Sequence, residues 1–212
     1  MFRRLRLQFI TIASLAILFI LVSTVGIINT VRSFQTEQEI SKVLNTLTEN
    51  NGSFGKTKKI ETNQGREIPS DSFRFFSVTL SGDEVVSQDT SHTSLINDEE
   101  AATYARAASR MTSTLGTIRE KNINLSYQVS KVSKNKILVV FLDTTSYYNS
   151  SQALLSISIL LSMFGFIFFV VIVSALSGIV IRPFIRNYEK QRRFITNAGH
   201  ELKTPLAIIS AN

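Results

Sequence analysis

Two uncharged apolar runs restrict what this chain can fold into more than any other feature. The first extends 25 residues from Leu7 to Val31, between Arg6 and Arg32; the second extends 29 residues from Ala153 to Ile181 and stops at Arg182. Each exceeds the roughly 20 residues a helix needs to cross a bilayer. In hydrocarbon a single segment satisfies its backbone amides only as a helix, so both runs predict transmembrane helices. A cleaved signal peptide is the alternative for the first run. Its length argues against that, as does the weak small-residue pattern from Ser23 to Thr30, so an uncleaved anchor is expected.

Charge then orients the two spans. The formal net charge of +7 suggests affinity for nucleic acid until it is located along the chain. Residues 33–150 hold 13 Lys and Arg against 14 Asp and Glu, so the intervening segment is close to neutral. The excess flanks the spans, with Arg3, Arg4 and Arg6 before the first. After the second come Arg182, Arg186, Lys190, Arg192, Arg193 and Lys203, against only Glu189 and Glu201. The positive-inside rule therefore places both termini in the cytoplasm. The expected organisation is a cytoplasmic tail (1–6), a first transmembrane helix (7–31), an extracytoplasmic domain (32–152), a second transmembrane helix (153–181) and a cytoplasmic segment (182–212). A nucleic-acid partner is not expected, because the one soluble domain lacks a basic excess.

The outer domain reads as α+β. Ile40, Val43, Leu44 and Leu47 continue a helix out of the first span, and a polar stretch from Glu49 to Gly55 ends it. Phe73 to Leu80 is aromatic and β-branched, with a turn at Ser81-Gly82-Asp83-Glu84 before Val85-Val86. Asn97 and Glu100 form a capping pair for a helix that presents Ala101, Tyr104, Ala105, Ala108 and Met111 on one face. Ile123, Leu125, Tyr127 and Val129 alternate with polar residues, which predicts a half-buried strand. Lys134-Asn135 makes a turn, and Ile137 to Leu142 is an unbroken apolar strand suited to a sheet centre. His92 reads as a solvated loop residue; a sensor site would sit on the sheet face with Phe75, Tyr127 or Arg74, whose ordinary reading is packing; and Tyr147-Tyr148 reads as an interfacial aromatic belt.

The cytoplasmic segment carries His200-Glu201-Leu202-Lys203-Thr204-Pro205-Leu206. A neutral imidazole is a nucleophile near pH 7, and an adjacent carboxylate that accepts one ring proton leaves the other nitrogen free to attack. Zinc is not expected. A His-Glu-x-x-His site needs a second histidine where Thr204 stands, and there is no cysteine. Phe194, Ala198, Leu202, Leu206 and Ile209 form one helix stripe, whereas His200 lies about 200° from Ala198 and from Leu202, away from that seam. Pro205 removes an amide donor one turn beyond the histidine, and since the apolar pattern continues past it, a kink rather than a helix end is expected.

This run resembles the H-box of bacterial two-component sensor histidine kinases, from about Arg186 to Asn212. The resemblance implies an ATP-dependent protein-histidine kinase in which His200 takes the γ-phosphoryl group and passes it to an aspartate of a response regulator. By the same resemblance Glu201 polarises the imidazole and Thr204 assists dephosphorylation. It implies a homodimer in the bacterial cytoplasmic membrane, paired along the stripe from Phe194 to Ile209; the outer domain's own order of helix, hairpin, helix, hairpin resembles the PAS/Cache-like sensors common in such kinases. ATP and magnesium are implied for a separate nucleotide-binding domain, so the sequence reads as an N-terminal fragment. Only 18 residues separate Ile181 from His200, too few for a HAMP relay module, and Arg182-Pro183-Phe184 reads as the start of a single helix into the H-box. The alternatives are a non-enzymatic two-span receptor, which has no use for the H-box, and an anchored extracellular binding protein, which needs no patterned cytoplasmic helix.

The expected topology is checked with reporters. A fusion after Asn135 is expected to be active only outside the membrane, and one after Lys190 only inside. The reverse pattern removes the cytoplasmic H-box.

Overall fold

Periodicity switches several times along this chain, from 3.6 in the apolar runs to 2 in the middle, and the architecture follows those switches. The computed structural model describes residues 2–55, 59–61, 65, 67–120 and 122–210; side chains at 2, 3, 181, 184, 185, 189, 196, 197 and 199–210 lie outside that description. Helix α1 (Phe2–Glu49) is followed by strands β1 (Lys59–Glu61) and β2 (Glu67–Pro69), a 3-10 turn (Ser70–Ser72), β3 (Phe75–Ser81) and β4 (Glu84–Asp89). Then come α2 (Asp98–Ser109), β5 (Leu115–Glu120), β6 (Ile123–Ser133), β7 (Lys136–Asp143) and α3 (Thr145–Ser210). The chain divides into two units, Ile27–Ser156 and the pair Met1–Gly26 with Ile157–Asn212.

The first unit is a small sheet domain. Its larger sheet has five strands, all antiparallel, in the order β4-β3-β7-β6-β5 with β7 in the middle, and β1 pairs with β2 in a separate two-stranded sheet. Alternation along β7 sends Leu138, Val140 and Leu142 to one face and Val139 and Phe141 to the other. Both faces are covered, which is why this strand reads as unbroken apolar sequence. Ile40, Val43, Leu44 and Leu47 of α1 cover the first face together with Phe54, Phe73 and Phe75. Ala101, Ala105 and Ala108 of α2 cover the second. Their small side chains leave room for Phe76 and Phe141, whose rings stack with centroids 4.6 Å apart.

Local chemistry fixes the ends of these elements. The α2 cap is reciprocal: the Glu100 amide donates to Asn97 Oδ1 at 2.8 Å, and the Asn97 amide donates to Glu100 Oε2 at 3.0 Å. Helix α1 stops where Asn51 and Gly52 take positive φ values of 56° and 86°. Gly52 has a second reason to lack a side chain, since a Cβ there would lie 2.4 Å from Ser77 Oγ. The turn at Gly82-Asp83 is tied back to α2: Arg106 Nε donates to the Asp83 carbonyl at 3.0 Å, and Arg110 pairs with the Asp83 carboxylate at 2.9 Å.

Three expectations change here. The second half of the domain is a three-stranded meander, not a hairpin, because Leu115–Glu120 pairs with β6. Strand β6 is not half-buried at its centre: Leu125, Ser126 and Tyr127 are all buried, the serine among hydroxyls and the other two among apolar groups. Finally, Arg182-Pro183-Phe184 does not open a helix. Pro183 lies inside α3, which also continues through Pro205 to Ser210, so the helix does not end at the second proline.

The second unit contains the apolar parts of α1 and α3, both long and apolar enough to cross a membrane. Polar side chains in these stretches bond to helix backbone and to each other. Thr11 and Thr24 hydroxyls donate to the carbonyls of Leu7 and Ile20, four residues back. Arg6 reaches across to α3, with Nε donating to Ser177 Oγ at 2.7 Å and Nη2 to the Ser174 carbonyl at 2.7 Å.

The fold makes Gly116 a sensitive position. A Cβ there would lie 2.5 Å from the hydroxyl of its cross-strand partner Tyr127, whose ring is fully buried. Gly116→Ala is expected to cost about 1–3 kcal/mol by overpacking, and Asn97→Ala about 1 kcal/mol through the lost cap. Denaturant unfolding of the full chain in detergent, followed by Tyr fluorescence, checks both. Wild-type stability in Gly116→Ala would mean that the β5–β6 register is wrong.

Candidate functional site

Helix α3 carries the sequence-predicted site. It starts at Thr145, whose amide donates to Asp143 Oδ1 at 2.9 Å, and its backbone stays helical through His200, Glu201 and Thr204. The side chains of these three residues lie outside the described ones, as do those of Leu202, Leu206 and Ile209. Upstream, Phe194 and Ile195 stand 75% and 69% exposed on a stretch otherwise crowded with Arg186, Lys190, Arg192 and Arg193.

The sheet domain contributes a separate polar feature that sequence reasoning missed. An open cleft of about 610 Å³ lies where the end of the β5–β6 hairpin meets the first turns of α3, bordered by Arg119, Glu120, Asn124, Tyr148, Asn149 and Gln152. The Arg119 guanidinium sits 5.1 Å from the centroid of the Tyr148 ring, a cation–π contact. Tyr104 on α2 donates its hydroxyl to Glu120 Oε2 at 2.6 Å, and this bond to the carboxylate pushes the phenol up to about 12. The signal for the cleft was diffuse, since its polar residues come from three elements with no motif spacing.

Beneath the cleft, hydroxyls tie the sheet to the start of α3. Thr117 Oγ1 and Ser126 Oγ are 3.2 Å apart, and Ser126 Oγ and Thr144 Oγ1 are 3.1 Å apart. Thr144 is fully buried, and its amide and hydroxyl both donate to the Asn124 carbonyl. Thr145 Oγ1 accepts from the Asn124 amide at 2.9 Å. Tyr147 is half-buried against the α1-side core, and burial followed by the Glu39 charge raises its phenol pKa. Tyr147 and Tyr148 therefore both touch the sheet domain, Tyr147 through the core and Tyr148 through Arg119.

Other predicted positions divide clearly. Phe75 and Tyr127 are buried on opposite faces of the sheet and serve packing. Arg74 is exposed, and its carbonyl accepts the Asp143 amide. His92 is exposed as expected, yet not simply solvated: its ring stacks on Phe75 with centroids 4.4 Å apart and planes within 16°. Asp89 steadies that loop by accepting from both the hydroxyl and the amide of Ser91. These two bonds, the hydroxyl's foremost, hold the Asp89 carboxyl below its ordinary range against the opposing effect of burial, with a smaller contribution from the nearby His92.

Against this geometry, known proteins give a consistent but partial likeness. No family model matches the chain. It is 30% identical over 88 residues to Sensor protein CiaH of Streptococcus pneumoniae, covering 41% of this chain and 20% of that protein. It is 24% identical over 135 residues to Sensor protein DltS of Streptococcus agalactiae, covering 64% of this chain and 33% of that protein. The chain thus spans between a fifth and a third of the length of the curated relatives it matches. What they share with it is a distant relationship to bacterial sensor proteins.

The Asp89 loop generates a pH prediction. Because the folded carboxyl is depressed, its stabilisation is present above the unfolded value of about 3.9 and is lost as pH falls through the folded value. Ser91→Ala is expected to move Asp89 back up toward the ordinary carboxylate range and to flatten that part of the acid transition. A carboxyl titration followed by NMR checks it; an unmoved Asp89 would remove the Ser91 hydroxyl as the main cause.

Proposed function

We propose that this chain is the N-terminal part of a membrane sensor histidine kinase of a two-component phosphorelay. One observation carries the reading: His200-Glu201-Leu202-Lys203-Thr204-Pro205-Leu206 stands on the same continuous helix as a membrane-length apolar run, in a chain related to sensor proteins. In this reading the sheet domain between the apolar helices is the extracytoplasmic, PAS/Cache-like sensor, both termini are cytoplasmic, and Phe194 belongs to the seam of a homodimer. The five-stranded antiparallel sheet with helices against both faces supports the sensor assignment, and the exposure of Phe194 supports the seam.

The chemistry follows from the residue types. The unprotonated nitrogen of His200 attacks the γ-phosphorus of ATP; a P–N bond forms, the bond to the bridging oxygen breaks, and ADP leaves with that electron pair. Glu201 accepts a hydrogen bond from the N–H of the other ring nitrogen, which fixes the tautomer and stabilises the imidazolium character that develops while the proton stays on the ring. A regulator aspartate then attacks the same phosphorus, breaking the P–N bond and returning a neutral imidazole. Thr204 stands four residues on, one turn away on the same side of the helix, where its hydroxyl can orient water during regulator dephosphorylation. ATP and magnesium belong to a nucleotide-binding domain outside this sequence.

Continuity of α3 supplies the link between outside and inside. The helix passes from Thr145, hydrogen-bonded into the sheet, to the H-box with no interruption at Pro183. A change at the sheet can therefore reach His200 as a displacement or rotation of one element.

In the natural full-length kinase, His200→Gln is expected to abolish acid-labile phosphorylation from labelled ATP. Thr204→Ala is expected to leave autophosphorylation largely intact and slow loss of phosphate from the partner regulator several-fold. Substantial phosphate on His200→Gln would remove this residue as the acceptor.

A further inference from the structure

A groove of about 910 Å³ opens beside the N-terminal end of α1 in the second unit. Its lining is mostly apolar, with Leu5, Leu7, Phe9 and Ile12 from α1 and Val180 from α3; Gln8 and Thr11 are its polar members. At the same end lies Arg6, held by two hydrogen bonds to α3. Its Nε donates to Ser177 Oγ and its Nη2 to the Ser174 carbonyl, and Ser177 Oγ in turn donates to that carbonyl at 2.8 Å. Ser177 is fully buried, so the guanidinium is fastened to a fixed point.

The partners of Arg6 are neutral, and this decides the chemistry. A hydroxyl and a carbonyl orient the guanidinium but do not balance its charge. Among the described residues the two ion pairs are Lys59–Glu67 and Arg110–Asp83, and neither involves Arg6. The sequence places no carboxylate before Glu37, and none between Asp143 and Glu189. An oriented cation at the edge of an apolar groove, with no acid in either flanking run, is complementary to an anion that carries its own hydrocarbon.

We infer that this groove is a binding site for an anionic phospholipid, with an acyl chain along Leu5, Phe9, Ile12 and Val180 and the phosphate on the outer edge of the Arg6 guanidinium. The inference rests on the membrane-spanning part of the proposed function. It differs from the general attraction of a basic flank for acidic lipids. Arg4, Arg182 and Arg186 are exposed and supply that diffuse field, whereas the site depends on the one arginine that Ser177 holds in place. A bound lipid would bridge α1 and α3 at this end and so bias the contact that Arg6 already makes between them.

The test uses the full chain, first fractionated to establish that it resides in membranes, then delipidated in detergent and analysed by native mass spectrometry. The probes are phosphatidylglycerol, phosphatidylcholine and inorganic phosphate. Wild type is expected to retain phosphatidylglycerol over phosphatidylcholine, and inorganic phosphate is expected not to displace it. Arg6→Gln is expected to weaken phosphatidylglycerol retention roughly ten-fold, as for loss of one charge-assisted contact. Arg4→Gln, with the same change in net charge, is expected to retain it. Ser177→Ala keeps every charge and should lose part of the headgroup preference, and Ile12→Trp, which fills the groove, should reduce binding of both lipids. Helical circular dichroism establishes that each variant is folded, and Ser177→Ala remains informative if Arg6→Gln is not. Equal weakening by Arg4→Gln and Arg6→Gln with a silent Ser177→Ala would overturn the site in favour of diffuse electrostatics. Displacement by inorganic phosphate would overturn the lipid assignment. Absence of wild type from membranes would overturn the spanning reading itself, a failure separate from the other two.

Discussion

Strand β7 is buried on both faces, and the rest of the sheet domain depends on that. Leu138, Val140 and Leu142 are covered by α1, while Val139 and Phe141 are covered on the side of α2. A strand so placed has no solvent face to accept polar residues, so its register against β3 and β6 is fixed from both directions. A one-residue slip would exchange the two sets and drive Phe141 into the space shaped for Val140 or Leu142. The alanines of α2 fit the same requirement, since they bring that helix close above Phe76 and Phe141.

The central strand is also the one that leads directly into α3. Only Thr144 separates Asp143, the last residue of β7, from Thr145, the first of the helix. Thr144 is fully buried and makes two bonds to Asn124, and its hydroxyl meets that of Ser126. The helix start is therefore attached to β6 as well as to β7. Such a junction resists bending more than a glycine-containing loop would, because each hydroxyl is satisfied by a neighbour on a different element. The Arg119–Tyr148 contact adds a third attachment, from the edge strand β5 to the first turn of α3. Any rearrangement of the hairpin end changes the environment of the helix start.

How much of this was legible in the sequence depended on how local the controlling interaction is. The apolar runs, the Asn97–Glu100 cap, the Gly82 turn and the double-sided strand all follow from spacing within a dozen residues, and all are present. Strand β5 was not legible. Leu115–Glu120 contains a glycine and two exposed charges, and it is a strand because β6 pairs with it and because Gly116 leaves room for Tyr127. The Ser126 side of β6 was misread for a related reason: a serine signals solvent, unless hydroxyls such as Thr117 in β5 and Thr144 just after β7 come to meet it. For His92 and Tyr148 the sequence carried no sign of the contacts with Phe75 and Arg119, because those partners are distant along the chain. The proposed H-box stands on residue types alone, and its side chains lie outside the described ones.

Arginine illustrates the same division at the helix ends. Counted along the sequence, Arg4, Arg6, Arg182 and Arg186 are equivalent topological signals, and each adds the same term to a positive-inside bias. In three dimensions they are not equivalent. Arg6 alone among them is hydrogen-bonded to Ser177 and Ser174 in the described structure, through a planar fork whose remaining edge stays available. A lysine at this position would preserve the topology signal but not the two-point attachment, since a single ammonium on a flexible stem cannot present two fixed N–H directions to a hydroxyl and a carbonyl at once while keeping a third edge oriented. Helix pairing thus constrains the identity of residue 6, whereas the proposed topology asks only for its charge. The two demands meet at the one end of the apolar helices where α3 continues toward His200.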